Sequence, residues 1–226
     1  MSRRDNAEAR CPHCRMLGAL CVCPLVPVPP LATRTRLVLI IHRYEARKPT
    51  NTGLLAARCL GNSEVIQRGH AGAPSEELAI PAGTRPLLLF PHEAAIPLDA
   101  IPAGAPVTLI VPDGNWRQAA KVRHRVPGLD QVPCVTLPPG PPTRYRLRSE
   151  PVDGGLATFE AIVRALAILE GEDGAAITAA MDHVFTVMVE RTLWSRGQLP
   201  ASAVTGGLPE GVDPRDPSSV RGADAD

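Results

Sequence analysis

The chain has 226 residues, of which 44% are hydrophobic and 21% charged, with a formal net charge of +1. Such a composition supports a buried core and excludes wholesale disorder, and no apolar run reaches the roughly 18 residues that span a bilayer. The polar first ten residues do not resemble a signal sequence, so we expect a cytoplasmic protein without membrane contact, in which any nucleic acid is held by local basic patches.

Four cysteines dominate the first 30 residues, at Cys11, Cys14, Cys21 and Cys23. In a reducing compartment this spacing favours zinc over disulfides, because four thiolates close a tetrahedral shell around zinc and fold a segment too small for its own core. A regulatory dithiol and an unmetallated leader are the alternatives. The proline-rich run Pro24–Pro30 reads as an extended connector, so residues 1–30 form a cysteine-rich, zinc-binding leader with its connector.

Strands and helices alternate through residues 31–197, which we interpret as the catalytic domain. Apolar runs predict strands at Leu37–His42, Glu64–Gln67, Leu87–Phe90, Val107–Val111 and Cys134–Leu137. Helical patterns occupy Asn51–Leu60, Trp116–Val126, Ala157–Leu169 and Ala175–Arg196. This alternation favours an α/β fold with a mostly parallel sheet and flanking helices. Residues 198–226 lack apolar periodicity and are predicted to form a disordered tail.

The loop after the first strand, HRYEARKPTNTG, leads into a helix. A helix N-terminus flanked by Lys48 attracts a carboxylate or a phosphate. The alternative is an ordinary capped helix entry, in which Asn51 or Thr50 accepts backbone N–H bonds.

A strand that ends in an aspartate before a helix, at Leu109–Lys121, is the strongest indication of a ligand site. In open α/β sheets ligands bind beyond the carboxyl ends of the strands. The following helix carries a basic patch, formed by Arg117, Lys121, Arg123, His124 and Arg125. A second basic patch alternates along an extended segment and consists of Arg144, Arg146 and Arg148. Either patch also fits a solvated surface.

Taken together and in order, five segments resemble the DTW-domain family of tRNA-uridine aminocarboxypropyltransferases. They are CPHC…CVC, HRYEARKPTNTG, LLLFP, PDGNWRQAAK and YRLRSEP…LATFEA, and they span roughly Cys11 to Arg196. The family motif Asp-x-Thr-Trp reads Asp113-Gly114-Asn115-Trp116 here. Asparagine also caps helices, so we expect the architecture to be kept.

The resemblance implies a SPOUT-like, trefoil-knotted fold that binds S-adenosylmethionine. It also implies transfer of the 3-amino-3-carboxypropyl group to N3 of a tRNA uridine, with release of methylthioadenosine. The motif aspartate's importance in the family carries over to Asp113, for which we expect the role of general base, since burial raises the pKa of a carboxyl. The alternative is that Asp113 caps the helix or binds a ligand hydroxyl. Trp116 is expected to stack on a base or to anchor its helix.

Under this resemblance the remaining site residues fall into two groups. We expect the cofactor to be bound by Pro91, Asp113, Gly114, Arg148, Thr158 and Glu160. We expect the tRNA to be bound by Lys48, Asn51, Thr52, Arg117 and Lys121. The alternatives are a SPOUT-type RNA methyltransferase and a non-catalytic, zinc-bearing RNA-binding protein. No obligate protein partner is indicated.

Overall fold

A six-stranded, parallel sheet forms the centre of the computed structural model, which describes residues 9–69, 78–102, 104–114, 116–147 and 155–221. The strand order is β2-β1-β5-β3-β6-β4, and every pair of neighbours is parallel. The strands are β1 (Arg36–His42), β2 (Ser63–Arg68), β3 (Arg85–Leu89), β4 (Ile96–Pro97), β5 (Val107–Asp113) and β6 (Cys134–Thr136). The predicted α/β class with a mostly parallel sheet is confirmed.

Five helices flank the sheet within the described ranges. They are α1 (Arg43–Ala46), α2 (Gly53–Cys59), α3 (Trp116–Arg125), α4 (Thr158–Leu169) and α5 (Gly174–Ser195). The predicted helices agree with α2 to α5 within two residues, whereas the single-turn α1 and the two-residue β4 are too short for any periodicity to indicate them. No helix in the described part of the chain has the length and hydrophobicity needed to cross a membrane.

The continuous apolar runs of β1 and β5 fit the positions of these strands inside the sheet, where both faces are covered. Leu39 and Leu109 face the larger core cluster, together with α2, α4 and α5. Ile40 and Ile110 point to the opposite face and a smaller cluster. Because side chains alternate along a strand, one unbroken run supplies both layers.

The cysteine leader is part of the larger core. Its side chains Leu20 and Val22 are buried in the same cluster as α5, and Arg191 of α5 donates a hydrogen bond from Nη1 to the carbonyl of Cys21 over 2.9 Å. The expected boundary near residue 30 is therefore not a boundary between separate cores.

The end of the chain differs from the predicted disordered tail. As far as residue 221 it is packed: Val204 and Val220 are buried against the larger core, and the N–H of Thr205 donates to Glu190 Oε2 over 2.7 Å. Leu199, Leu208 and Val212 are partly buried against the same core, yet these scattered apolar residues produce no periodicity in the sequence. Residues 222–226 lie outside the described residues.

Candidate active site and cysteine cluster

The carboxyl ends of all six strands lie at one edge of the sheet, and a cavity of about 800 Å³ opens there. The N-termini of α2 and α4 close it from the side. Its apolar wall comes from strand ends and the segments that follow them, at Leu89, Phe90, Val111, Val135 and Leu137. Its polar wall includes Asn51, Thr52, Asp113, Thr136 and Thr158. The sequence predicts a ligand site at this edge.

Asp113, the last residue of β5, is 7% exposed and lines this cavity. Its Oδ2 accepts a hydrogen bond from Asn51 Nδ2 over 2.6 Å, and its Oδ1 accepts one from the Thr158 hydroxyl over 2.7 Å. A buried carboxylate is costly unless it is hydrogen-bonded, and here both oxygens are. The two donors come from distant parts of the chain and hold the carboxylate in one orientation.

The loop before α2 ties these donors together. Asn51 uses both ends of its amide, because its Oδ1 accepts from the N–H of Leu54 over 3.1 Å and so caps α2. The Tyr145 hydroxyl donates to the carbonyl of Thr50 over 2.6 Å, and the N–H of Phe159 donates to Thr52 Oγ1 over 3.3 Å. The entries of α2 and α4 are thereby fixed to each other around Asp113.

Gly53 is a site residue that the sequence reasoning did not select. A Cβ at this position would lie 2.5 Å from Asp113 Oδ2 and 3.1 Å from Leu39 Cδ1, so a side chain has no room. The absent side chain lets the first turn of α2 approach the carboxylate. The glycine that ends the TNTG motif was the available signal, but only the fold shows what it approaches.

The structure gives Glu160 a different place from the predicted one. It does not line the cavity but is buried in the first turn of α4. Its carboxylate accepts hydrogen bonds from the Thr143 hydroxyl over 2.5 Å, the Arg144 N–H over 2.7 Å and the Ala157 N–H over 3.1 Å. These contacts fasten the loop before α4, so we assign Glu160 a structural role.

Other predicted ligand-binding residues do reach the cavity. Pro91, Gly114 and Arg117 line it, together with Thr158. Arg148, Asn115 and the side chain of Trp116 lie outside the described part of the structure, so their predicted roles are unaffected.

The predicted RNA-binding residues divide between the surface and the cavity wall. Arg117 and Lys121 are exposed one turn apart on α3. Lys48 Nζ lies 2.5 Å from Oε1 of Glu45, whose buried carboxylate faces the cavity. Asn51 and Thr52, by contrast, are engaged with Asp113 and Phe159, which indicates positioning rather than contact with RNA.

The four leader cysteines form a cluster that fits a metal ion. Their sulfur atoms all lie within 4.8 Å of one another, with 3.6 Å between Cys11 and Cys23 and 3.7 Å between Cys14 and Cys21. Tetrahedral zinc with bonds of about 2.3 Å separates its sulfurs by about 3.8 Å. Arg58 of α2 donates from Nη1 to Cys23 Sγ over 3.2 Å, which offsets negative charge on the thiolates.

Acidity differs among the cysteines. Burial opposes ionisation of Cys11, but hydrogen bonds from the backbone of Cys14 and His13 and from neighbouring thiols lower its pKa to about 6. Burial raises the pKa of Cys59 to about 12. Cys59 and Cys134 are both buried in apolar clusters, which confirms the expectation that they are small core residues.

Sheet, cavity and cysteine cluster together define a parallel α/β protein with a ligand site at the carboxyl edge and a thiol-rich leader. Residues 8–193 match the DTW domain. The chain therefore belongs to the DTW-domain family, as the ordered motifs had predicted. The matched region includes the leader, in agreement with the shared core.

Relatives with curated names are similar over most of this chain. A Drosophila melanogaster protein is 30% identical over 175 residues, covering 73% of this chain and 68% of the relative, and a Mus musculus protein is 32% identical, covering 74% and 59%. Both are named tRNA-uridine aminocarboxypropyltransferase 2. An Arabidopsis thaliana protein, tRNA-uridine aminocarboxypropyltransferase A, is 26% identical and covered to 79%. No solved structure matches significantly.

Proposed function

We propose that this protein transfers the 3-amino-3-carboxypropyl group of S-adenosylmethionine to N3 of a tRNA uridine and releases methylthioadenosine. The names of the relatives support the tRNA substrate and the transferred group. The observation that carries the proposal is the buried carboxylate of Asp113, held by Asn51 and Thr158 in a cavity at the carboxyl edge of the sheet.

The cavity fits the proposed donor in size and in the chemistry of its walls. Its volume of about 800 Å³ lies within the usual range of roughly 300–1,000 Å³ for small-molecule sites. Its apolar strand ends suit an adenine ring, and the carboxylate of Asp113 suits a sulfonium cation. Pro91, Gly114 and Thr158 would contact the donor, and Arg148 is proposed to hold its carboxylate. When bound, S-adenosylmethionine supplies a sulfonium-activated carbon as the electrophile.

Asp113 is proposed to accept the N3 proton of uridine. The N3–H group is a weak acid, so the nitrogen must be deprotonated to act as a nucleophile, and a positioned carboxylate is a suitable general base. The bonds from Asn51 and Thr158 aim the carboxylate before substrate arrives, which favours reaction by orientation. Trp116 is proposed to stack on the uracil or the adenine.

The tRNA is proposed to approach across α3, with phosphates contacting Arg117, Lys121 and Lys48. Each such contact releases counterions, so binding must weaken as salt rises. Replacing Arg117 and Lys121 together by Gln should weaken tRNA binding and reduce the slope of log K against log salt by about 1.5, measured by filter binding. The control variant is Arg34→Gln, because Arg34 lies before β1 at the opposite edge of the sheet. It should change neither the affinity for tRNA nor the salt dependence.

Two further features belong to the proposal. We infer that zinc occupies the four-cysteine cluster as a structural ion. We also infer the SPOUT-like knotted chain path that the family resemblance implies, and the cytoplasmic location that a tRNA substrate favours.

Two labelled donors test the proposed reaction. The protein is incubated with hypomodified tRNA and S-adenosylmethionine labelled either in the carboxyl or in the methyl group, and the label on RNA is measured. Carboxyl label alone should reach the RNA. Asp113→Asn should lower the transfer rate at least about 100-fold, while the exposed control Asp99→Asn should retain it.

Other outcomes would identify a different protein. Methyl label on the RNA would indicate a methyltransferase. Binding of tRNA that is indifferent to Asp113→Asn, with no consumption of donor, would indicate a binding protein without catalysis.

A further inference from the structure

A second cavity, of about 390 Å³, lies between the cysteine leader, the loop before α2 and the end of α5. Arginines and hydroxyl groups dominate its polar wall: Arg10, Arg15, Thr50, Thr192, Ser195 and Arg196. None of the described residues that line it carries a carboxylate. The Thr192 and Ser195 hydroxyls donate to carbonyls within α5, so the three arginines are the groups that suit an anion.

Arg15, which lines this pocket, has a strained backbone conformation. Its φ is 63°, in the left-handed region, and it is the one non-glycine residue with a positive φ in the described part of the chain. That conformation is strained for an L-residue, whereas glycine would adopt it freely. The turn itself is made by the backbone, since the N–H of Arg15 donates to the carbonyl of Cys11 over 3.0 Å. The side chain is therefore not needed for the turn, and residues kept in strained conformations cluster at functional sites.

Hydrogen bonds to backbone carbonyls hold two of the guanidinium groups at the pocket. Arg10 donates from Nη1 to the carbonyl of Arg15 over 3.1 Å, and Arg196 donates from Nη1 to the carbonyl of Leu147 over 3.0 Å. The acceptor of the Arg196 bond is a neutral carbonyl, so this bond does not neutralise the Arg196 cation. Arg15 is exposed and takes part in no ion pair with a described residue.

The position of the pocket connects it to the candidate active site. Thr50 lines both cavities, and its carbonyl is held by the Tyr145 hydroxyl over 2.6 Å. A ligand that extends from the Asp113 cavity past Thr50 would place its next charged group beside the arginines. A polynucleotide has this form, with a phosphate between successive nucleosides.

We propose that the pocket of Arg10, Arg15 and Arg196 binds a backbone phosphate of the tRNA next to the nucleotide being modified. The inference rests on the proposed function for the identity of the RNA. It assigns the cysteine leader a part in substrate binding in addition to its place in the core.

Arg15→Gly separates binding from folding. Glycine adopts a φ of 63° without strain. The variant should therefore keep its metal content, and its thermal midpoint should stay within a few degrees of the wild type. Its Kd for tRNA should rise about threefold to tenfold at 0.1 M salt, and the slope of log K against log salt should fall by about 0.7–0.9. Arg196→Gln should weaken tRNA binding to a similar extent. Arg15→Lys should weaken it less, because the positive charge is kept. The remote variant Arg34→Gln should bind tRNA as the wild type does.

The competing source of the anion is a free phosphate, and a second arm tests it. Inorganic phosphate is titrated against labelled tRNA at constant ionic strength. Competition only in the range where chloride also competes supports a site built for the RNA backbone, whereas specific competition at micromolar phosphate would overturn it.

Failure of this inference is distinguishable from failure of the proposed function. Wild-type affinity for tRNA in both Arg15→Gly and Arg196→Gln overturns the pocket, even when group transfer is found. Weakened binding in both variants supports the pocket, even when no group transfer is found. Should Arg15→Gly lose metal, Arg196→Gln decides, because it lies outside the leader.

Discussion

The Asp113 carboxylate owes its position to three neighbours that each contribute something small. Asn51 donates a hydrogen bond from its amide and Thr158 donates one from its hydroxyl. Gly53 has no Cβ and so leaves room for the carboxylate. All three sit at helix entries, where exposed backbone N–H groups require particular residue types in any case. The same residues therefore shape the helices and aim the carboxylate.

Gly53→Ala should disturb this arrangement directly. The new Cβ would meet Asp113 Oδ2 at 2.5 Å, so either the carboxylate or α2 must move. We expect a loss of about 1–3 kcal/mol in the free energy of unfolding, from urea denaturation, and a fall in transfer rate of tenfold or more. Gly61→Ala is the control, because its Cβ would meet its nearest neighbour at 3.5 Å, an ordinary contact. Equal behaviour of the two variants would contradict the close approach.

Thr158→Val should remove one donor while keeping the shape of the side chain. Asp113 Oδ1 then loses a 2.7 Å hydrogen bond, and the carboxylate becomes less strictly oriented. The rate of transfer should fall about tenfold, with the Kd for tRNA unchanged, in single-turnover assays. Thr178→Val, whose hydroxyl donates only to a carbonyl within α5, should keep the full rate. An unchanged rate for Thr158→Val would contradict the orienting role of Thr158.

At the scale of elements, the first turn of α4 has two separate functions. Thr158 faces the cavity, whereas Glu160 faces away and accepts three hydrogen bonds from the preceding loop. Residues two positions apart on a helix point in different directions, so one turn serves both the site and the loop.

Glu160→Ala should destabilise the fold. It would leave the buried N–H of Ala157, the N–H of Arg144 and the Thr143 hydroxyl without their acceptor, and we expect a loss of about 2–4 kcal/mol in the free energy of unfolding. Urea denaturation measures the loss, with Glu172→Ala, an exposed residue, as the neutral control. A loss of donor affinity with unchanged stability would instead support the cofactor contact predicted from the sequence.

At the scale of the whole molecule, the leader is built into the main core. Leu20 and Val22 pack with α5, and Arg58 links the cysteine cluster to α2, the helix that begins at Gly53 beside Asp113. The metal ion that this cluster fits would stabilise the segment and the helices it covers together.

Removal of the metal should lower the stability of the entire domain. We expect about one zinc per chain by elemental analysis, and a drop in the thermal midpoint of about 10 °C after chelation, because the thiolates lose the ion that holds them together. Cys134→Ala, which removes a core thiol outside the cluster, should keep its zinc. A metal-free protein purified under reducing conditions with the same midpoint would contradict the structural role.

The sequence by itself determined the α/β class, the parallel sheet and the bounds of most helices and strands to within two residues. Continuous apolar runs such as Leu37–His42 and Val107–Val111 are local signals, and they appear wherever a strand is buried on both faces. The position of Asp113 at a strand end, and the leader cysteines' ability to gather around a metal, follow from local spacing in the same way.

Only the tertiary structure decided what surrounds each of these residues. Asn51 and Thr158 lie far from Asp113 along the chain. A side chain at Gly53 is excluded because Asp113, which belongs to a different element, lies too close. Glu160 looked like a site residue because its motif is close to Thr158, yet its helix face points elsewhere. Packing of the segment after Gln198 is equally hidden, since its scattered apolar residues leave no pattern. Local sequence encodes propensity and periodicity, whereas contacts between distant segments exist only once the chain is folded.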